Sequence, residues 1–382
     1  MLRTTGIALV ILLTLALVPP SAGTGGGTVI LVTDNEADLA MARCVASLLN
    51  ASLVVSPWGT YDPSVSAEIL ALNPEWVIVI GGPVAVPPDY TVDFDDFGIA
   101  HERWYGETRY ETNLAIVENL KKTFPGEFER VRSVFVVNGR DGLALRELIR
   151  QGVTGFVVLT DSGRVNESLK ILWEFEKLEN LTYVGTFENG RFIFTLDERW
   201  LDDFVRKRPG VRIWRKGIPP SAENTREILL SVQNRTERAE KLLDGLRIPA
   251  ARRGLEMARE LLERAWREYY LGNYGKAYRL GMMAEWRADF VIARSYLELM
   301  TVYQGSARLR LERRLRRFEV MVGVLKKRGY DVSDVEELLR RAREALERGD
   351  YSLLLNDLIP RIRMELAMKT RGRMGHSWRR RP

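Results

Sequence analysis

Hydrophobic residues in the first 220 positions fall into two alternating patterns. Short β-branched runs, such as VILVT at 29–33 and VIVI at 77–80, end in turn residues, which is typical of strands buried on both faces. Longer segments between them carry apolar residues at helical spacing. The alternation predicts an α/β domain, in which a parallel sheet is flanked by helices. The predicted strands are 29–33, 53–55, 77–80, 134–137 and 155–159, and the predicted helices are 37–49, 65–72, 114–123, 143–150 and 167–178.

The last part of this region follows a different pattern. Two β-rich runs, 181–187 and 191–196, flank Asn189-Gly190, a dipeptide that favours a type I′ turn. We therefore expect an antiparallel hairpin at the edge of the sheet. The segment 90–97 is acidic and turn-rich, so we predict a loop there. One glycine and two prolines within 216–220 close the domain.

From residue 221 onward only helical periodicity remains, which predicts an all-α helical bundle after the α/β domain. Pro360 should kink the last of six helices. The predicted helices are 221–245, 249–271, 274–303, 307–328, 335–348 and 351–369.

Two turns of the helical region repeat at an offset of 77 residues (337 minus 260): ELLERAWREYYLGNY begins at 260 and ELLRRAREALERGDY at 337. Gly272 and Gly349 supply the left-handed residue that ends a helix. Asn273 and Asp350 follow as caps of the next helix. The repeat predicts αα-hairpins.

Charge is divided unequally along the chain. Its formal net charge is +6, from 57 Lys+Arg and 51 Asp+Glu. Residues 221–382 hold 35 Lys+Arg and 23 Asp+Glu, a balance of +12, so residues 1–220 carry −6. The 46% hydrophobic content is that of a folded chain.

The first 23 residues have the layout of a secretory signal. Arg3 precedes 13 apolar residues at 6–18, and small residues follow at 21–23. The apolar run is short for a membrane span, so we predict cleavage and a secreted or cell-surface location, with an uncleaved anchor as the alternative. Cys44 is the single cysteine, so no internal disulfide forms. Glycosylation sequons occur at Asn50, Asn166, Asn180 and Asn234.

Catalytic and cofactor-binding constellations are missing from the sequence. His101 and His376 are the only histidines, and the chain has no P-loop, no G-x-G-x-x-G and no G-x-S-x-G. We therefore predict no enzyme activity, no cofactor and no metal. Two acidic clusters could bind a divalent ion, but we interpret them as solvated loop acids and helix caps. They are Asp34, Glu36 and Asp38, and Asp93, Asp95 and Asp96.

Two linked motifs follow the strand at 77–80. GGPVAV at 81–86 is a glycine turn, and HERWYGETRYET at 101–112 contains an R-x-x-G-x-x-R-Y-x-T pattern. Together they resemble the cell wall-binding repeat 2 family, whose modules dock surface proteins onto anionic cell-wall polymers. The residues that carry the resemblance are Gly81, Gly82, Pro83, Ala85, Val86, Arg103, Gly106, Arg109, Tyr110, Glu111 and Thr112.

The resemblance extends over residues 28–185, because a strand, an acidic turn and a Leu-Ala-rich helix occur twice, with Asp38 and Asp141 at the turns. In the second copy the glycine turn has decayed to LTYVGTFENG. The resemblance implies binding residues, and the guanidinium groups among them suit phosphate or carboxylate; the alternative is that they hold the loop through neighbouring glutamates. The implied residues are Gly81, Gly82, Arg103, Gly106, Arg109, Tyr110, Thr112, Asp38 and Asp141.

The basic run RLRLERRLRR at 308–317 belongs to an amphipathic helix, so we interpret it as a charged helix face and not a nucleic-acid site. Anionic lipid headgroups or an acidic envelope layer suit it as partners. The sequence thus indicates a signal peptide (1–23), an α/β domain (24–220), a helical bundle (221–370) and a basic tail (371–382).

The function we expect is that of an exported, non-catalytic surface protein that docks on an anionic envelope polymer through its α/β domain. One alternative is a hydrolase of an envelope glycan or phosphate ester that uses the loop carboxylates. Another is a structural subunit that assembles as a homo-oligomer.

Overall fold

The computed structural model describes residues 27–152, 155–194, 199–304 and 307–371. The predicted signal peptide and residues 372–382 of the predicted basic tail lie outside these ranges. Across the described part of the chain, every helix is too short or too polar to span a bilayer.

The first α/β unit is a four-stranded parallel sheet in the order β2-β1-β3-β4. Central β1 is buried on both faces, as its continuous β-branched sequence predicts. Asn35 and Asp62 cap the first two helices through their side chains. The elements are β1 (Thr28–Thr33), α1 (Glu36–Leu49), β2 (Ser52–Ser56), α2 (Pro63–Leu72), β3 (Trp76–Ile80), α3 (Asp89–Phe97), β4 (Ala100–Trp104) and α4 (Arg109–Thr123).

The second unit repeats this topology. Its parallel strands lie in the order β6-β5-β7-β9, and β8 pairs antiparallel with the end of β7. Asn189 and Gly190 have φ of 51° and 80°, so the predicted hairpin is confirmed. The elements are α5 (Pro125–Phe128), β5 (Ser133–Asn138), α6 (Gly142–Gln151), β6 (Phe156–Thr160), α7 (Val165–Glu174), β7 (Asn180–Glu188), β8 (Arg191–Phe192), α8 (Arg199–Lys207) and β9 (Arg212–Ile218).

The α/β prediction is confirmed, with three differences in detail. The expected single sheet is two sheets, which share one apolar core because α1 packs on α6 and β6. The predicted loop at 90–97 is α3, whose buried Tyr90, Phe94 and Phe97 have helical spacing. Strands β4 and β9 were not predicted, because each lies at a sheet edge and carries many polar residues.

All six predicted helices of the C-terminal region are confirmed. A π-helical turn, Leu354–Leu358, lies immediately before Pro360, where a kink was expected. Gly272 and Gly349 have φ of 79° and 75°, the predicted left-handed conformation. The helices are α9 (Ala222–Leu243), α10 (Pro249–Tyr270), α11 (Tyr274–Gln304), α12 (Ala307–Lys327), α13 (Ser333–Arg348), α14 (Tyr351–Leu353) and α15 (Ile359–Arg371).

The helical region is packed directly on the α/β units. Helices α9 and α11 lie over the loops that follow β1 and β5, where Arg238 contacts Asp34 and Tyr278 contacts Asp141. Helix α12 packs on α2, and α15 contacts α2 and α3. One apolar cluster accordingly contains residues of β1 and β3 together with residues of α12 to α15.

Candidate functional site

The carboxyl ends of parallel strands are where open α/β sheets bind ligands. In this protein α1 begins after β1 and α6 begins after β5, and the two helices pack against each other. Helices α9 and α11 cover both starts. We call the space between these four helices the crevice. It is the site to which the predicted residues Asp38, Arg109 and Asp141 belong.

Arg235 of α9 lies at the centre of the crevice, and its side chain is 2% exposed. Its guanidinium donates to Glu285 at 2.5 Å and to Asp289 at 3.3 Å, both on α11. It also lies 3.9 Å from one carboxylate oxygen of Asp34, whose other oxygen accepts a 2.8 Å bond from Arg238. These contacts tie α9 and α11 to the first α/β unit.

A second ion pair in the crevice joins the two α/β units. Arg146 of α6 donates to Glu36 of α1 at 2.7 and 3.0 Å. Burial opposes ionisation of Glu36, but the positive charges of Arg146 and Arg235 outweigh it and lower the pKa of that carboxyl. Glu36 is therefore an ionised structural acid, which confirms neither a metal nor a catalytic role.

Asp38 differs from its neighbours because none of the described arginines lies within ion-pair distance of its carboxylate. It accepts a 3.3 Å bond from Thr33, and burial raises its pKa to about 6, against the attraction of Arg109. Burial likewise raises the pKa of Glu285, assisted by the negative charge of Glu36, although Arg235 opposes the shift. The arginines of the crevice only partly offset the effect of burial on these two acids. The acids of the crevice are Asp34, Glu36, Asp38, Glu285 and Asp289, and the arginines are Arg109, Arg140, Arg146, Arg235 and Arg238.

Asp141 is fully buried and has four hydrogen-bond donors around it. It caps α6 through the backbone N–H of Ala144, at 3.2 Å, and accepts from the Thr186 amide and hydroxyl at 2.6 and 2.5 Å. The Tyr278 hydroxyl of α11 donates the fourth bond, at 2.8 Å. Asp141 thus joins α6, β7 and α11, and an external ligand would have to displace these donors.

The motif arginines face the protein's own backbone. Arg103 donates to the carbonyls of Gly81 and Val86 at 2.8 and 2.9 Å, and so fastens β4 to the glycine turn. Arg109 donates to the carbonyl of Gly139 in the second unit. Both side chains thus bond to backbone carbonyls, whereas the structural alternative had named neighbouring glutamates as their partners. Polymer binding through them stays a prediction.

The remaining motif residues shape the loop before α4. Gly106 donates its N–H to Thr112 at 3.1 Å, and a side chain at Gly106 would collide with Glu111. Thr108 and Glu111 form the capping box of α4, which begins five residues before the predicted helix at 114–123. Tyr110 is buried beneath the guanidinium of Arg164. Gly81 has φ of 121°, a conformation that glycine adopts readily, and Gly82 lies against Tyr105.

The crevice is almost filled. Its cavity volume is about 10 Å³, the room needed by one water molecule. Its lining includes Arg109, Gly139, Glu285 and Trp286. Within the described ranges no group of three potential ligands is arranged to hold a metal ion. The crevice thus joins the two α/β units to α9 and α11.

The basic run on α12 faces the acidic segment at 90–97. Arg314 lies 2.6 Å from Asp96, and Arg317 lies 2.7 Å from Asp93. Asp96 also pairs with Arg363 of α15 at 3.2 Å. These contacts define the α3–α12 seam. The acidic segment had suggested a cation site and the basic run an anionic partner. In the structure, Asp93 and Asp96 of the segment pair with Arg317 and Arg314 of the run.

A basic surface that the sequence analysis missed lies at the free edge of the second sheet. Residues 206–216, RKRPGVRIWRK, contain six Lys/Arg and no Asp/Glu. Among the described strands, β9 pairs with β7 alone. Trp214 of β9 is 59% exposed. Arg206 pairs with Asp203 and Lys216 with Glu147, and Arg208 donates to the carbonyls of Phe175 and Trp173. We call this surface the basic edge: Arg206, Lys207, Arg208, Arg212, Arg215 and Lys216, with Trp214.

Comparisons with known proteins give two likenesses. No family model matches the chain. It is 41% identical to the uncharacterized protein MJ0755 of Methanocaldococcus jannaschii over 155 residues, which are 40% of this chain and 45% of that protein. The match thus spans less than half of the relative. Cwp6 from Clostridium difficile is similar in structure with a TM-score of 0.40 and 20% identity, over 52% of this chain and 30% of that chain. The resemblance to cell wall-binding repeat 2 stays a prediction.

Proposed function

We propose that this protein is an exported, non-catalytic component of the cell envelope that binds an anionic envelope polymer through its α/β half. The observation that carries the proposal is the basic edge. Six cations without an intervening acid lie on and before the edge of β9 that pairs with no described strand, and Lys207 and Arg212 among them are exposed, so phosphate or carboxylate groups of a polymer meet cationic donors there.

The shape of the basic edge suits an extended ligand. Strand β9 has seven residues, which at the usual rise of a strand corresponds to about 23 Å. Arg212 and Lys207 are exposed, and the exposed Trp214 offers a flat apolar surface between Arg212 and Arg215. A repeating anionic polymer laid along β9 contacts several cations at once. Such binding weakens as salt screens the charges.

The filled crevice supports the absence of catalysis. Its acids bond to arginines, hydroxyls or backbone amides of the same chain, and its volume admits no substrate. The resemblance to cell wall-binding repeats agrees with a docking role, and the signal-like N-terminus agrees with export.

A hydrolase is the second candidate, because Asp38 has a pKa of about 6 beside Arg109 in a position where α/β enzymes bind ligands. Asp38→Asn separates the two functions. Loss of turnover on an envelope glycan or phosphate ester, with folding intact, would favour the hydrolase.

The docking proposal is tested with the full mature chain, since the helices share its core. Binding to purified envelopes of the source cell, and to poly-glutamate as a model anionic polymer, is measured by co-sedimentation across a salt series. Lys207→Glu with Arg212→Glu should abolish binding at low salt. The matched control, Lys122→Glu with Arg130→Glu, makes the same charge change at exposed positions of the same half. Equal binding by both double variants would refute a role for the basic edge.

A further inference from the structure

A group of aromatic side chains projects from the turn between α10 and α11. Tyr270 and Leu271 are 79% and 72% exposed, more than any other large hydrophobic residue described. They adjoin a cluster of rings in mutual contact, which we call the aromatic tip: Trp266, Tyr269, Tyr270 and Tyr274. Scattered single apolar residues on a surface need no explanation, but a connected group of rings does.

The exposure of the tip is built into the turn. Gly272 adopts φ of 79°, and its N–H bonds the carbonyl of Tyr269 at 3.0 Å. The N–H of Asn273 bonds the carbonyl of Glu268 at 2.9 Å, which closes the helix end. Beyond the turn, Arg279 of α11 pairs with Glu188 of the β7–β8 hairpin at 2.9 Å. The rings therefore stand on a braced helical hairpin, which fixes their positions before any ligand arrives.

The exposed ring of Tyr270 is backed by Trp266, and Tyr269 stands upright beside it. Trp266 and Tyr270 are nearly parallel, at 27° and 6.0 Å between ring centroids. Tyr269 stands at 77° to Tyr270 with centroids 5.6 Å apart. Within the described residues no hydrogen bond engages the hydroxyls of Tyr269, Tyr270 or Tyr274. The tip thus combines an apolar face with hydroxyls free to bond a ligand.

Most of the charges around the tip are paired, unlike those of the basic edge. Glu263 pairs with Arg267 at 2.8 Å, and Glu268 pairs with Lys276 at 2.6 Å. Arg264, which also lies near Glu268, is the remaining cation. One cation is fewer than the cluster of basic residues that binds an anionic lipid surface or a polyanion. A ligand that matches this surface is uncharged, has an apolar face, and carries hydroxyl groups at its rim.

We propose that the aromatic tip is a second binding site, which takes uncharged pyranose rings of an envelope glycan. The C–H face of the sugar stacks on Tyr270 and Trp266, and its hydroxyl groups bond the tyrosine hydroxyls and neighbouring polar side chains. The proposal rests on the proposed envelope function for the source of the glycan. It differs from the basic edge in chemistry, because stacking resists salt whereas ion pairing does not.

The test uses full mature chain and purified source envelopes in 0.5 M NaCl, where binding by the basic edge is screened. Tyr270→Ala should lower the remaining binding at least about tenfold, since one exposed ring provides most of the stacking surface. The matched control is Tyr351→Ala, at the equivalent turn of the second αα-hairpin, where Tyr351 is 38% exposed. That variant should bind as the wild type does. Circular dichroism verifies that both variants are folded.

Two further measurements identify the ligand class. Mild periodate, which cleaves the vicinal diols of sugars, should remove the salt-resistant binding from the envelopes. The double variant Lys207→Glu with Arg212→Glu should retain the salt-resistant binding. Failure of the basic-edge proposal and failure of the aromatic-tip proposal would therefore give different results. Unchanged binding by Tyr270→Ala, survival after periodate, or transfer of salt-resistant binding to protein-free vesicles of anionic and neutral lipid would each overturn the proposal.

Discussion

Replacing Arg235 with methionine removes the central cation of the crevice and keeps most of its aliphatic volume. Glu285 and Asp289 then lose their bonds to a guanidinium that is only 2% exposed. Breaking one side of a buried ion pair costs about 3–5 kcal/mol, because the remaining charge is left unpaired away from water. A domain is stable by about 5–15 kcal/mol, so the loss is a large fraction of the total. Urea unfolding, followed by circular dichroism, measures it.

The loss should also depend on pH. Burial already raises the pKa of Glu285 and of Asp289 above the ordinary value, and removing Arg235 raises both further. A raised folded-state pKa favours folding below the unfolded value, and the benefit is lost as pH rises through the folded value. Arg235→Met should therefore be most harmful at about pH 8 and less harmful at about pH 5. The exposed Arg267→Met, which breaks a surface pair, should change stability by under about 0.5 kcal/mol. A loss below about 1 kcal/mol at the higher pH, or an equal loss at both, would refute this reasoning.

Two more predictions follow from the crevice and the motif loop. Asp38→Asn should raise the free energy of unfolding at pH 8 by up to about 3 kcal/mol, since the pKa of about 6 means that ionised Asp38 opposes folding there; the gain should vanish near about pH 4, and a gain that is constant with pH would contradict the assignment. Gly106→Ala places a Cβ 2.3 Å from that of Glu111 and should lower stability by about 1–3 kcal/mol in thermal or urea unfolding. Gly126→Ala, which meets no atom within 4 Å, is its control and should be nearly neutral.

The sequence predicted the helices and strands correctly where their hydrophobic residues follow a clear helical or strand pattern. Strands β1 and β3 are buried on both faces and have continuous apolar sequences, so their type and place were predicted correctly. The segment forming α3 was taken for a loop because its aspartates have low helix propensity, and packing of its aromatic face decides the outcome. Strand β9 was missed because an edge strand with exposed arginines lacks the apolar signal.

The crevice could be predicted only in part. Asp38 and Asp141 were identified because each lies where a strand leads into a helix. Arg235, Glu285 and Asp289 were missed because they are distant in sequence, on α9 and α11. That these two helices cover the crevice follows from tertiary packing, which the sequence pattern does not show. One signal was present: Glu285 and Asp289 are four residues apart, on the same side of α11 as Met282 and Ala288, and charged residues on a buried helix face indicate partners across an interface.

The α3–α12 seam and the apolar cluster beneath it bear on how the chain acquires its structure. The boundary at residue 220 divides two kinds of secondary structure, but Leu31 and Val79 of the sheet share a core with Leu315 and Phe318 of α12. A chain that ended at 220 would leave this apolar face and the Asp93 and Asp96 carboxylates open to water. The α/β half can thus finish folding only after α12 has been synthesised and, if the protein is exported, translocated across the membrane. Before α12 packs, the exposed apolar face must be protected from aggregation. In the folded protein the two halves should unfold together in one cooperative transition.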